Sequence, residues 1–302
     1  MVATKNEEKN IETCLRSLRA QTFRDIEILV VDNRSEDKTT ELARRYTSKV
    51  YTKGPGLAAQ RNVGIQEAAN SEFLMFIDAD MILSPGLIEA CVRRMESRDC
   101  AALFIPEIVL GANFWNRVRR FERRFYDGTA IDGARLYRKD AVTRAGGFDE
   151  NERVVNSVED WDFDQKIKRL GAIRLLEDVP AGPPRGEWEL ASFVRARGVD
   201  PNRHGSVLYH NEADFDLRKY LQKKSYYAGK FDIYIDKWGR DNPDVRLQFG
   251  FWYRYFGVFI EQGKWRRLPA HPLLTSGMYF LRFLVGTIYL SRNLVHAKER
   301  PR

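Results

Sequence analysis

Residues 73–80 run Phe73-Leu74-Met75-Phe76-Ile77-Asp78-Ala79-Asp80, an apolar stretch that drives into two carboxylates spaced i, i+2. Five apolar residues in succession predict a strand buried on both faces, of the kind found inside a parallel sheet. In extended backbone, residues i and i+2 point the same way. The run would therefore aim Asp78 and Asp80 together from the end of a buried strand, where open α/β sheets place their ligands. Paired carboxylates at such a site suit a divalent cation and, through it, phosphate.

The surrounding sequence alternates in the same style. A short amphipathic helix is predicted over 11–20, a strand over 26–32 ending in Asp32, and a helix capped by Ser35 and Asp37 that runs to about residue 46. A brief strand at Val50-Tyr51 leads into the loop Gly54-Pro55-Gly56 and a helix over 57–69. After the 73–77 strand, Ser84-Pro85 opens another helix with proline in its first turn, and 101–105 is a further strand. Strand–helix alternation with short loops predicts a mostly parallel, doubly wound sheet flanked by helices. Met1-Val2-Ala3 reads as a very short first strand, clipped if it is central.

Beyond this half the texture changes. Over 113–126, Phe114, Trp115, Val118, Phe121 and Phe125 recur at helical spacing among Arg117, Arg119, Arg120, Arg123 and Arg124. The helix is amphipathic and strongly basic, either docked on the core with a solvated face or presented to a membrane or acceptor phosphate. Pro180-Ala181-Gly182-Pro183-Pro184-Arg185-Gly186 is a loop by composition. From about Asp214 the chain is helical, aromatic and basic, and its last apolar region, 273–290, is broken by Arg282. The division expected is 1–213, with a nucleotide-binding half to about 105 and an acceptor half beyond, followed by a helical extension over 214–302.

The 302-residue chain carries a net charge of +8, which favours anionic partners. Mean hydropathy of −0.48 argues against a multispanning membrane protein. Cys14, Cys91 and Cys100 show no metal-ligand spacing and read as buried or free thiols of a reducing compartment. With no signal-peptide pattern at the N-terminus, the expectation is a cytoplasmic protein, with peripheral contact at the inner face of an anionic membrane as a further expectation.

Six segments occur in an order that resembles glycosyltransferase family 2: Thr4-Lys5-Asn6-Glu7-Glu8, Val30-Val31-Asp32-Asn33, Arg61-Asn62-Val63-Gly64, Asp78-Ala79-Asp80, Gly146-Gly147-Phe148-Asp149 and Glu159-Asp160-Trp161-Asp162. An Asp-x-Asp alone arises easily by chance; the ordered set over roughly residues 1–175 does not. The resemblance implies a GT-A fold and a metal-dependent, inverting transfer of a sugar from a nucleotide-diphosphate sugar to a hydroxyl of a glycan, including a lipid-linked one. It implies Mn²⁺ or Mg²⁺ as cofactor, with Asp80 as metal ligand and Asp78 on the ribose or sharing the metal. Thr4, Asn6, Glu7, Asp32 and Arg61 would meet the nucleotide. The family often has a second acid after Asp32; this chain has Asn33, which leaves base preference open. Asp160 would be the base that deprotonates the acceptor, with Glu159 supporting it. Asp132, Gly133 and Trp161 would line the sugar pocket, and His210 would be a further metal ligand. Lys223-Lys224-Ser225-Tyr226 resembles a basic aromatic segment that meets diphosphate or a polyprenyl-phosphate acceptor.

Two other classes compete. A sugar-phosphate nucleotidyltransferase would need a glycine-rich basic signature that Asn6-Glu7-Glu8-Lys9 does not supply. A basic membrane- or nucleic-acid-binding protein with a degenerate, inactive domain would suit the charge, but no nucleic-acid motif is present and clustered carboxylates repel phosphate without metal. No nucleic acid partner is expected.

Overall fold

The computed structural model describes residues 1–68, 70–151, 158–178, 188–228 and 231–299. The loop expected over 180–186 and the helix end expected at residue 69 lie outside the described residues.

The first half alternates as expected: β1 (Val2–Thr4), α1 (Ile11–Arg19), β2 (Val30–Asp32), α2 (Thr39–Arg44), β3 (Val50–Thr52) and α3 (Leu57–Glu67). The apolar run then divides into β4 (Phe73–Met75) and β5 (Ile77–Asp78), followed by β6 (Met81–Leu83) and α4 (Leu87–Glu96). Next come β7 (Ala102–Phe104), β8 (Glu107–Leu110), α5 (Phe114–Arg123), β9 (Leu136–Arg138), α6 (Lys139–Ala145), α7 (Glu159–Lys168), β10 (Ile173–Leu175), α8 (Ala191–Ala196) and β11 (Leu208–Asn211). The remainder is helical: α9 (Leu217–Ala228), α10 (Phe231–Trp238), α11 (Pro243–Phe249), a π-helical turn (Tyr253–Gly257) running into α12 (Val258–Ile260), α13 (Arg267–Ala270) and α14 (Pro272–Glu299).

Among the described residues three small sheets result. One is all parallel in the order β3-β2-β1-β5; the second is ordered β10-β7-β9-β4, with β9 antiparallel to both neighbours; the third is β6-β11-β8, with β11 antiparallel to β6. Five of the eight strand pairings are parallel, so the sheet is mostly parallel and flanked by helices, as the alternation predicts.

The run that was read as one strand thus serves two sheets. Phe76 is the joint: its N–H donates to Arg135 O at 2.8 Å, and the next residue already pairs with β1. Phe73 and Met75 are half-buried, while Leu74, Phe76 and Ile77 are buried, so the first part of the run is covered on one face only. Asp80 lies in the turn between β5 and β6 rather than on a strand. The single-direction argument for the two carboxylates fails there, because it needs extended backbone through both.

Other differences are local. The strand expected over 26–32 forms ladder bonds only over Val30–Asp32. The helix expected to start at Pro85 starts at Leu87, after a turn closed by Leu87 N–H to Ser84 O at 3.1 Å. Cys14, Cys91 and Cys100 are free and buried. Apolar clusters fill both sides of the strands, one around Val2, Leu15, Val30, Ile77, Met81 and Leu103, another around Phe76, Tyr137, Phe148 and Phe163. The helical remainder packs on α5 through a third, which joins Val118, Phe121 and Phe125 to Val258, Phe259, Met278 and Leu281.

Candidate active site

The carboxyl ends of β5 and β11 and the start of α7 bring the chemistry together. His210, on β11, pairs in register with Met81 and Val109. Its Nε2 lies 3.1 Å from Asp80 Oδ2, and its Nδ1 lies 2.8 Å from Glu107 Oε1. Burial alone would lower the His210 pKa, but the carboxylates of Asp80 and Glu107 reverse this and hold it well above its usual value. Burial likewise pushes the Asp80 carboxyl up, and the charge and hydrogen bond of His210, with a contribution from Lys223, bring it below the ordinary carboxylate range. Asp80 Oδ1 is buried and has no hydrogen-bond partner. An unpartnered buried carboxylate oxygen is costly unless something binds it.

Asp78 faces the other way. Its oxygens lie 4.0 Å from Arg61 and 3.6 Å from Arg135. Arg61, projecting from α3, is 1% exposed, lies 5.1 Å over the Phe148 ring and donates to Asp160 Oδ1. One buried guanidinium therefore spans Asp78 and the expected base. Burial acts to raise the Asp160 pKa, yet the charges of Arg61 and Arg135 dominate and hold it low, so the carboxylate is ionised. Glu159, next in chain, is raised by burial and by the charge of Asp160; its Oε2 is buried without a partner. Both sit in the first turn of α7, where the helix dipole favours negative charge. Gly133 abuts them: a Cβ there would lie 3.2 Å from Asp160 Cβ and 3.4 Å from its Oδ2.

The residues expected to meet the nucleotide lie at the ends of β1 and β2 and in the loops that follow them. Thr4 and Asp32 are paired in register, and Thr4 Oγ1 is buried without a partner. Asn6, at φ 54, takes Glu36 N–H on its Oδ1 at 2.9 Å, and Ser35 Oγ accepts from its N–H at 2.8 Å. Glu7 is raised first by burial, with the charges of Asp80, Asp37 and Asp78 adding, while Asn10 donates to its Oε2 at 2.7 Å. Gly54 packs against Asn33: a Cβ at that position would lie 1.8 Å from Asn33 Oδ1.

Several expected residues also hold contacts within the scaffold. Asp32 is 1% exposed and takes Ser35 N–H at 2.8 Å and its hydroxyl, so the turn consumes the carboxylate. Asp132 is buried and accepts from Arg123 and from Gly128 N–H, each at 2.8 Å. Trp161 is half-buried against Tyr234 and Phe249, at ring distances of 6.3 and 5.9 Å.

The basic face of α5 turns inward. Arg119 pairs with Glu122 and Glu212; Arg120 donates to Val109, Gly111, Arg197 and Gly198 carbonyls; Arg123 pairs with Glu107, Asp127 and Asp132. Of the five arginines over 117–124, Arg117 on α5 and Arg124 just after it are exposed.

Glu107 and Arg135 were not anticipated from the sequence. Glu107 is buried; Arg123 (3.2 Å) and Arg135 (3.7 Å) share its Oε2 while Oε1 faces His210. The cations outweigh burial and hold it well below the usual range. The available signal was a carboxylate inside the apolar run Ile105-Pro106-Glu107-Ile108-Val109-Leu110.

Among the described residues no three His, Cys, Asp or Glu side chains form a metal-binding cluster. The donor set nonetheless fits a hard or borderline divalent cation through two residues, Asp80 with its unpartnered Oδ1 and His210 through Nε2 once a cation displaces the proton on that nitrogen. Asp78 is held by arginines instead. Magnesium-type sites commonly use one or two protein carboxylates and leave the rest of the shell to water and phosphate.

Residues 1–148 match the family model described as Glycosyl transferase family 2. EpsH of Bacillus subtilis (strain 168) is 40% identical over 99 residues, covering 31% of this chain and 28% of its own. The uncharacterized glycosyltransferase EpsJ of the same organism is 27% identical over 237 residues, covering 72% and 66%. The chain thus spans between about a quarter and two-thirds of the length of these relatives. The crystal structure of S. aureus TarS superimposes with a TM-score of 0.53 at 17% identity, over 95% of this chain and 53% of that one, a likeness of fold.

Proposed function

Because residues 1–148 match the glycosyltransferase family 2 model, we propose that the chain is a member of that family and transfers a sugar from a nucleotide-diphosphate sugar to an acceptor hydroxyl with inversion. The observation that supports this reading is the buried Arg61, which ties Asp78, beside the cation donors, to Asp160, the carboxylate at the start of α7 that we take as the base.

Asp80 and His210 would hold Mn²⁺ or Mg²⁺. When bound, the cation supplies Lewis-acid stabilisation of the charge that builds on the diphosphate leaving group. The acceptor oxygen attacks the anomeric carbon as its proton passes to Asp160; the bond from that carbon to the diphosphate oxygen breaks, and the diphosphate departs with the electron pair. Gly133 leaves room beside Asp160 for the reacting hydroxyl. Arg61 keeps Asp160 ionised before attack and stands against Asp78 afterwards. Glu159, whose carboxyl is pushed up by burial and by the charge of Asp160, would support the acceptor beside the base. Lys223, whose charge acts on Asp80, would meet the diphosphate in this reading.

In this reading residues 1–213 are the catalytic domain and 214–302 an extension. The acceptor is a glycan hydroxyl, lipid-linked in the fuller form of the proposal, reached by peripheral contact with an anionic membrane. Among the described residues no helix is long and apolar enough to cross a membrane.

A thermal-shift screen of nucleotides and nucleotide-sugars with Mn²⁺ tests the proposal. A true donor at about a hundredfold excess over its Kd should stabilise the chain by about 2.7 kcal/mol. Turnover that survives both Asp80→Ala and Asp160→Asn would overturn the assignments.

A further inference from the structure

The large apolar side chains that remain exposed are concentrated in one stretch. Of eleven among the described residues, nine lie between Leu247 and Phe283. Trp252 is 75% exposed, and Trp252, Phe256 and Ile260 recur at i, i+4 and i+8 along the helical segment that the π-turn continues. Phe251, Trp252 and Phe256 form one ring cluster, with centroids 5.5 Å apart for the first pair and 5.6 Å for Trp252–Phe256. The platform beneath is fixed. Phe259 packs 5.1 Å from Phe125 on the buried side, and Tyr279 and Tyr255 hydroxyls bond to the Tyr255 and Arg282 carbonyls at 3.1 and 2.9 Å.

The charge around this face is one-sided. Between residues 246 and 283 stand Arg246, Arg254, Lys264, Arg266, Arg267 and Arg282 against one acid, Glu261. Arg282 is buried against Glu122, and Glu261 accepts from Tyr253. Arg246, Arg266 and Arg267 are exposed, and Arg267 reaches the Arg124 carbonyl at 3.2 Å, which sets exposed Arg124 beside them. Exposed tryptophan and phenylalanine rimmed by arginine is the composition of a surface that lies in the headgroup region of an anionic bilayer.

We infer that the face built by Phe251, Trp252, Phe256, Ile260 and Trp265, with Arg266 and Arg267 at its edge, docks this chain on an anionic lipid bilayer. A second copy fits less well, because a two-fold contact through this face would set the same arginines against themselves. The inference rests on the peripheral-contact part of the reading above and supplies the surface for it. The same helices pack on α5, whose inward arginines reach Glu107 and Glu212 beside His210. Docking would thus hold the candidate active site near the membrane that carries a lipid-linked acceptor.

The test is co-sedimentation of the full chain with phosphatidylcholine vesicles, with and without phosphatidylglycerol, at low and high salt. The expected result is binding to the anionic vesicles that weakens with salt. Trp252→Ala with Phe256→Ala should weaken it by about tenfold or more, and Arg266→Glu with Arg267→Glu should abolish the preference for phosphatidylglycerol. Both pairs are exposed, so the melting temperature and the nucleotide-induced shift should stay as in the parent. Equal, weak sedimentation with both vesicle types, or variants that bind like the parent, overturns the inference. So does concentration-dependent dimerisation that the Trp252→Ala, Phe256→Ala variant loses, which would give the face to a second copy. Nucleotide binding that fails while vesicle binding holds sinks the catalytic reading and leaves the surface standing.

Discussion

Replacing Arg61 with methionine keeps an unbranched side chain over the Phe148 ring and removes only the charge and the fork of donors. Breaking a buried ion pair from one side costs about 3–5 kcal/mol, since the partner charge stays behind uncompensated. Two features move this case to the low end. Asp160 and Asp78 keep 30% and 34% side-chain exposure, so water screens both. Arg135 also remains 3.6 Å from Asp78. The expected loss is about 3 kcal/mol, which in a chain of 302 residues lowers the melting temperature by about 5 °C. Denaturation of Arg61→Met, Asp160→Asn and the double variant reads it out. Once Asp160 is neutral only Asp78 is left for the Arg61 charge to offset, so the double variant should be more stable than the sum of single losses by about 1–3 kcal/mol. The pH dependence has a defined sign. Arg61 depresses the folded-state pKa of Asp160, so its contribution is present above the unfolded carboxylate value and is lost as pH falls through the folded one. The gap between parent and Arg61→Met should therefore be full at neutral pH and close below about pH 4. Additive single losses, or a gap that widens in acid, would refute the reasoning.

Three further outcomes are expected. Glu107→Gln removes the carboxylate that faces His210 Nδ1, and calorimetric Mn²⁺ affinity without any donor should fall about 10–100-fold; unchanged affinity would separate Glu107 from the cation. Gly133→Ala should leave the melting temperature close to the parent and lower kcat, because the added methyl crowds the Asp160 carboxylate at 3.2–3.4 Å; an unaltered kcat would clear that side of Asp160 of any role. Asp164 is buried beside Tyr137 Oη (2.9 Å), which also lies 2.8 Å from Ala134 O, and one hydroxyl proton serves only one of them. Burial lifts Asp164 to about 7. Its raised folded pKa means stability falls as pH rises from about 4 towards 7, so Asp164→Asn should gain on the parent over that window in urea denaturation, and a constant difference would contradict it.

The site was unevenly legible in the chain. Asp80, Asp160 and His210 announce themselves because each follows an apolar run or opens a helix, and such signals are local. The separation of Asp78 from Asp80 was not visible, since it depends on a turn at Asp80 and on Arg61 and Arg135, which only the fold brings near. Asp32 and Asp132 carry the right chemistry at the right chain positions, yet Ser35 and Arg123 occupy them, and no spacing rule tells a carboxylate's partner. The arginines of α5 looked like a surface stripe for the same reason: composition counts charges, while Glu107, Asp127, Asp132 and Glu212 arrive from other segments to meet them. Fold class was easier, because strand–helix alternation repeats over many residues and tolerates errors such as the shortened strand at Val30–Asp32.

Residues 73–83 contribute one strand to each of the three sheets in succession: β4, β5 and β6. No sheet can therefore peel away alone without pulling on the backbone that carries Asp78 and Asp80. In native-state hydrogen exchange the amides of Phe76, Ile77 and Leu83 should open as one cooperative unit, at a free energy near that of global unfolding. Deleting one residue from this segment would misregister all three sheets together. The two carboxylates thus sit in a segment that three sheets tie down at once.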